Sequence, residues 1–434
     1  MRQPKILVIV RGAWDDTKGA SSTVSNLFMG ADPERTACIY IESKKPKSNY
    51  CRFFYQISEI ALVKKLYRWR IKTGKRLDLS SGNVTYFDEK TIEQEEKTMN
   101  YVRGHRSHIY TWLREMLWGL NGWKTKELKH FITDFNPDVI WFFGSPLVLM
   151  NKIASYVIRT CNKPAGVFLM DDAYTYIDED KGPIAHFYKS RLRKSIREVV
   201  GQCKKVFVIS PKMKKEYDKA FGVDSVFITK GIDFSKKHFE PLNPHKPLRM
   251  VYMGQVIYGR IYSLIAMANA IKEFNVEETR LTLDIYTTNS LNDSEKRKLT
   301  VTKDVNLQKP VPFSKVEETI AQYDVVVFVE SFEKKFKNAA RLSFSTKITD
   351  YLGSGKCIFA VGPSTIAPIE YLVDEDAAIV ATSLDEIVEK MKLLCNDDLV
   401  KQYAQKAFEC GVRNHSNERI RQEVYDNFIN QYSY

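Results

Sequence analysis

The chain has 434 residues, of which 44% are hydrophobic and 27% charged, and its formal net charge is +13. That length and apolar content suffice for two cores of ordinary domain size, while no apolar run approaches the roughly 18 residues that a membrane-crossing helix needs. Seven cysteines, scattered without CxxC or Cys/His metal spacing, fit a reduced cytoplasm and argue against structural zinc.

In chain order, apolar runs rich in Val, Ile and Phe alternate with helix-period segments, the pattern of parallel sheets buried on both faces. MRQPKILVIVRG reads as a buried strand, KILVIV (5–10), rather than a signal peptide. Gly19, Ala20, Ser21 and Ser22 form a glycine loop before a helix, and TACIYI (36–41) is the next strand. Lys44 to Arg76 holds eleven basic residues against one acid, Glu59, interleaved with aromatics such as Tyr50, Tyr67 and Trp69. Such a mixture suits a basic amphipathic segment on an anionic membrane surface, or equally a solvated basic helix packed by its aromatic face. Residues 45–135 are otherwise less regular, apart from a long helix ending in DFNPD. Strands then follow at DVIWFFG (138–144), GVFLMD (166–171), KVFVIS (205–210) and SVFITK (225–230), with helices at 146–160, 183–202 and 211–220.

FEPLNPHKPLR (239–249), with three prolines, reads as an interdomain linker. Beyond it come strands LRMVYMG (248–254), LTLDIYT (281–287), DVVVFVE (324–330), CIFAVG (357–362) and AAIVAT (377–382). Helices are predicted at 260–274, 314–322, 384–395, 397–410 and 415–430. The fold class is therefore α/β, with two Rossmann-like doubly wound domains facing across a cleft: 1–238, 239–410, and a C-terminal helix at 411–434 that packs back on the first domain.

Three loops at predicted strand ends carry groups suited to phosphate or ribose. In MGQVIYGR, Gly254 ends a strand and Arg260 opens a helix, where a guanidinium clamps a diphosphate bidentately. In FSTKITDYLGSGK, Ser345 and Thr346 are favourable N-caps of a short helix, Lys347 adds a full positive charge, and Asp350, three residues on, holds a ribose hydroxyl pair. The Gly19-Ala20-Ser21 loop brings bare backbone towards the same ligand from the other domain. Taken singly, Arg260 reads as a surface arginine, Lys347 and Asp350 as a surface pair, and Gly19 as a helix start; their agreement at strand ends favours the ligand reading.

These segments resemble GT-B fold glycosyltransferases of the family 4-like kind (glycosyl transferases group 1). In that family a strand ending in glycine is followed six residues later by Lys or Arg, here Gly254 and Arg260. A later Ser/Pro-x-Lys-x-x-Glu-Tyr-Leu-Ala-x-Gly-Lys-Pro segment matches Ser345 to Lys356. FVISPKMKKEY (207–217) and FITKGID (227–233) look like the family's strand-Ser-helix unit and domain crossover. The chain departs at Asp350, where Glu is usual, and at Leu342, where many members carry another Glu, although Glu330 and Glu333 lie nearby. The family's frequent His-Asp is replaced by Asp171-Asp172.

The resemblance implies transfer of a sugar from a nucleotide-diphosphate sugar to an acceptor hydroxyl, in bacterial cell-surface polysaccharide or glycolipid assembly. The donor would meet Gly19, Ala20, Ser21, Gly254, Arg260, Val311, Ser345, Thr346, Lys347 and Asp350. Arg260 and Lys347 would stabilise the leaving diphosphate without a metal or other cofactor, and Asp172 would orient or deprotonate the acceptor. Asp171-Asp172 and Asp178-Glu179-Asp180 resemble the metal-binding motif of the other large glycosyltransferase fold, but acid clusters after strands are usually solvated loops and no metal is predicted. The expected partners are a nucleotide sugar, a saccharide or lipid-linked acceptor, and an anionic membrane through residues 44–76. The expected location is the cytoplasm, at the inner face of the plasma membrane, and no nucleic acid is expected. Two alternatives are a sugar-nucleotide 2-epimerase of the same fold, which needs no acceptor, and a non-enzymatic basic protein binding membrane or nucleic acid through residues 44–76.

Overall fold

A computed structural model describes residues 3–16, 19–42, 44–80, 108–176 and 182–432. The chain divides into two compact units: Met1–Ile209, Lys214–Ile228 and Arg421–Tyr434 make the first, Ser210–Met213 and Thr229–Ile420 the second.

The first unit is built on β1 (Ile6–Ile9), β2 (Thr36–Tyr40), β3 (Phe53–Ile57), β4 (Gly74–Asp78), β5 (Val139–Phe143), β6 (Ala165–Leu169), β7 (Lys205–Val208) and β8 (Val226–Phe227). Their order is β4-β3-β2-β1-β5-β6-β7-β8, parallel throughout except for β3 with β4. β1 pairs on both sides, Val8 standing between Cys38 and Trp141. Helices cover both faces, so the central strands are apolar without alternation. Trp141 anchors the core, with ring centroids 6.0 Å from Phe28, 4.8 Å from Phe207 and 6.2 Å from Phe428 of the chain's C-terminal segment.

Two sequence expectations change here. The basic run from Lys44 to Arg76 is not one amphipathic segment: β3 and β4 form an antiparallel pair within it, and Phe54 and Tyr55 are buried. Only helix Glu59–Lys65, capped by Ser58, and the turn after it display apolar and basic groups together. The long helix ending in DFNPD is two helices, His108–Gly119 and Lys126–Phe135. The chain turns between them through Asn121 at φ 57°, and Thr125 accepts a hydrogen bond from the Leu128 N–H to start the second.

The second unit has β9 (Leu248–Met253), β10 (Leu281–Tyr286), β11 (Val305–Gln308), β12 (Val325–Val329), β13 (Cys357–Val361) and β14 (Ile379–Ala381). The order β11-β10-β9-β12-β13-β14 is wholly parallel. Its core joins Met250, Leu283, Val325 and Phe359 of the sheet to Leu264, Met267 and Ile271 of helix Arg260–Phe274. Leu242, in the proline-rich segment, packs into this core. Both units are doubly wound α/β. In the second, the strand order reverses direction between β9 and β12, and the carboxyl ends flanking such a reversal are where ligands of open α/β sheets bind.

Candidate functional site

Gly254 ends β9, and the loop from Gly254 to Gly259 leads into helix Arg260–Phe274. Gly259, at φ 73°, starts that helix, and a Cβ there would strike Ser331 Oγ. The loop therefore lies tightly against the end of β12 and directs Arg260 back over the sheet. Glu330, the residue after β12, meets it: Arg260 donates from Nε to Oε2 at 3.0 Å and from Nη2 to Oε1 at 2.8 Å. The arginine side chain is 20% exposed and the glutamate 6%. The expected diphosphate clamp is thus already engaged along one edge of its guanidinium by an internal carboxylate.

Lys347 comes from helix Thr346–Leu352, which follows β12 and precedes β13. Its ammonium lies 5.0 Å from the centroid of the Tyr252 ring and fills the space beside Gly254, where any Cβ would overlap it. Desolvation and then the positive charge of Arg260 lower its pKa to about 8, with Glu330 acting in the opposite direction. Among the described residues it has no ion-pair partner. A partly desolvated ammonium without a directly paired counter-ion is costly, and an anionic ligand would relieve that cost.

Other expected site residues are placed differently. Asp350 does not join Lys347; it is 43% exposed and receives Lys230 Nζ at 2.6 Å. The reason is angular: position i+4, Tyr351, turns inward with Lys347 and donates to the Met253 carbonyl, whereas i+3 points about 60° to the other side. Asp350 instead lines a cavity of about 740 Å³ together with Asp324, His245 and Lys356. Because the last three precede β12, β9 and β13, that cavity lies at the amino-terminal edge of the sheet, away from the strand ends that carry Arg260 and Lys347. Ser345 occupies the N-cap position, but its side chain makes no capping bond, and Thr346 is exposed. Val311 lies part-exposed in the loop after β11.

In the first unit, Gly19, Ala20 and Ser21 form the opening turn of helix Gly19–Leu27 rather than a loop ahead of it. Asp172 is 9% exposed and accepts four hydrogen bonds: from Thr175 N–H (2.8 Å), Thr175 Oγ1 (2.7 Å), Tyr176 N–H (3.1 Å) and Tyr217 OH (3.0 Å). A carboxylate offers about four such positions, so Asp172 holds its loop and has little capacity left for an acceptor. Asp171 beside it is exposed. Asp178-Glu179-Asp180 lies outside the described residues.

Sequence reading named Glu330 only as an acid near the absent one at Leu342 and did not pair it with Arg260. It also passed over Glu115, 6% exposed on helix His108–Gly119. Among the described residues its Oε2 has no hydrogen-bond partner, and burial raises its pKa. No local pattern distinguishes that glutamate.

No protein-family model and no curated protein matches the sequence. Solved structures do match its fold. HepE of Anabaena in complex with UDP superposes at a TM-score of 0.60 and 12% identity, covering 97% of this chain and 98% of that one. TarM matches at 0.58 and 12%, covering 98% and 99%. The apo form of the lipopolysaccharide outer core galactosyltransferase WaaB matches at 0.54 and 10%, covering 98% and 100%. At these identities the likeness establishes architecture: the chain has the two-domain GT-B fold of glycosyltransferases.

Proposed function

We propose that the protein is a glycosyltransferase that takes a nucleotide-diphosphate sugar in its second unit and transfers the glycosyl group to an acceptor hydroxyl held by its first. The observation that carries this reading is the part-buried ammonium of Lys347, without an ion-pair partner among the described residues, beside Arg260 at the reversal between β9 and β12. Cleaving the anomeric bond leaves charge on the diphosphate, and cations fixed in a low-dielectric site stabilise that charge as it forms. In this reading Lys347 and the free edge of Arg260 neutralise the leaving group without a metal. HepE, of the same fold, has been solved with UDP and with UDP-glucose, which makes a uridine diphosphate sugar the first donor to test.

The reading extends to cell-surface polysaccharide or glycolipid assembly at the cytoplasmic face of a membrane. Leu66, Tyr67 and Trp69, at 62%, 67% and 75% exposure, follow helix Glu59–Lys65 and alternate with Arg68 and Arg70. Exposed aromatics among cations suit the headgroup region of an anionic bilayer. Among the described residues no helix is long and apolar enough to cross a membrane.

The test is a thermal-shift screen of nucleotide sugars against the wild type and Lys347→Met, since a ligand that binds only the folded state raises its melting temperature. The donor stabilises the wild type and not the variant. Equal stabilisation of both, or of neither by any nucleotide sugar, overturns the assignment. Incubating the donor with and without acceptor then separates transfer from epimerisation.

A further inference from the structure

The geometry points to Glu330 as a specificity-determining residue of this site: a buried carboxylate that aligns Arg260 and, by its charge, reduces the site's preference for the more highly charged nucleotide diphosphate left after transfer over the nucleotide-diphosphate sugar. The inference rests on the donor site proposed above. Glu330 is held independently of any ligand. Its N–H donates to the Val361 carbonyl at 2.9 Å, its own carbonyl accepts from Ser263 Oγ at 2.7 Å, and its Cβ lies 3.3 Å from where a Cβ at Gly362 would stand. Its carboxylate takes Arg260 in a two-bond fork, which fixes the guanidinium plane and leaves Nη1 outside the fork. Its field also reaches Lys347. The site therefore sets two cations against one buried anion.

Transfer changes the charge this cluster faces. The bond from the anomeric carbon to the phosphate oxygen breaks, and its electron pair stays on that oxygen. The acceptor oxygen bonds to the carbon and its proton passes to solvent. The nucleotide diphosphate thereby gains one negative charge over the donor. A fixed carboxylate roughly 7–10 Å away, at an effective dielectric near 20, penalises that extra charge by on the order of tenfold or more in affinity. Without Glu330 the two cations would favour the product over the donor still more strongly, and release would slow.

The experiment compares, by calorimetry at about pH 7.5, the binding of UDP and of its β-methyl ester, which keeps the diphosphate and lacks one charge. In the wild type the two cations outweigh the one carboxylate, so UDP binds more tightly than the ester. In Glu330→Gln, the ratio of UDP to ester affinity rises about tenfold over that of the wild type. In Glu330→Asp, which keeps the charge but withdraws it from Arg260, both ligands weaken together and their ratio stays near that of the wild type. An unchanged ratio in Glu330→Gln, or a shift in Glu330→Asp equal to that in Glu330→Gln, overturns the inference. Should Glu330→Gln fail to fold, Glu330→Ala takes its place: the same rise of about tenfold in the ratio is expected, and an unchanged ratio refutes the role assigned to Glu330. Failure of the donor site itself reads differently, as UDP binding the wild type and Lys347→Met equally.

Discussion

The ammonium of Lys347 stands where a side chain at Gly254 would have to go, with the Tyr252 ring beneath it at 5.0 Å. Gly254→Ala should therefore act as a lysine variant made from the opposite wall. The methyl group displaces the ammonium, and at φ 157° the backbone itself favours glycine. UDP affinity should fall about 10- to 100-fold, close to the loss in Lys347→Met, as expected for one charge-assisted contact. Stability should drop by about 1–3 kcal/mol. Normal UDP binding by the alanine variant, measured by calorimetry, would show that the lysine moves aside freely.

The pKa of about 8 at Lys347 places its titration in an accessible range. Below pH 8 the unliganded protein carries the ammonium; above it the proton is lost and the anion site weakens. UDP affinity should be level from pH 7 to 7.5 and fall up to tenfold per pH unit above about 8. Lys347→Met should show no such limb, and an equal decline in the variant would assign the effect to another group.

His415 is fully buried, hydrogen-bonded through Nδ1 to Thr229 Oγ1 at 2.6 Å and through Nε2 to Tyr371 OH at 2.7 Å. Desolvation, with a smaller effect of Arg419, lowers its pKa to about 3. Between about 6.5 and 3 the unfolded chain then binds one proton more than the folded one, so stability falls as pH drops through that range and is level above it. Chemical unfolding should show about 2 kcal/mol lost from pH 7.5 to 5 in the wild type beyond the loss in His415→Gln. Parallel pH profiles would count against a buried neutral imidazole.

Asp172 should behave as a loop anchor. Asp172→Ala removes the acceptor for Thr175, Tyr176 and Tyr217 and should lower stability by about 2–4 kcal/mol. Asp172→Asn keeps part of that network and should lose less. Turnover of the true donor, measured on folded protein, should be reduced modestly in Asp172→Asn; a loss of about a thousandfold with full stability would restore the role of acceptor base.

Trp69→Ala with Arg68→Glu and Arg70→Glu should reduce co-sedimentation with vesicles containing phosphatidylserine by about 2–4 kcal/mol equivalent at low salt. The same variant should keep wild-type UDP affinity, because these residues belong to the first unit. Vesicle binding that survives the triple change would move the membrane contact elsewhere or remove it.

Strands and their kind were legible locally. KILVIV, DVIWFFG, LRMVYMG and CIFAVG are strands in the structure because a sheet buried on both faces needs uninterrupted apolar runs, and such a run is written in consecutive residues. Arg260 and Lys347 were legible as well, since a strand-terminal glycine and a helix start are local signals. The short strand β11 and the pair β3 and β4 were not, because Val305–Gln308 is brief and basic residues surround Phe53–Ile57.

What the sequence determined by itself is therefore the α/β alternation and the placing of two cations at strand ends. Only the tertiary structure decided which charges meet. Arg260 pairs with Glu330 seventy positions on, and Asp350 with Lys230 at a separation of 120. Any of the chain's 53 acidic residues is a chemically adequate partner for a lysine or arginine. Periodicity carries no record of which one arrives, because ion pairing depends on distance in the folded chain and not along it.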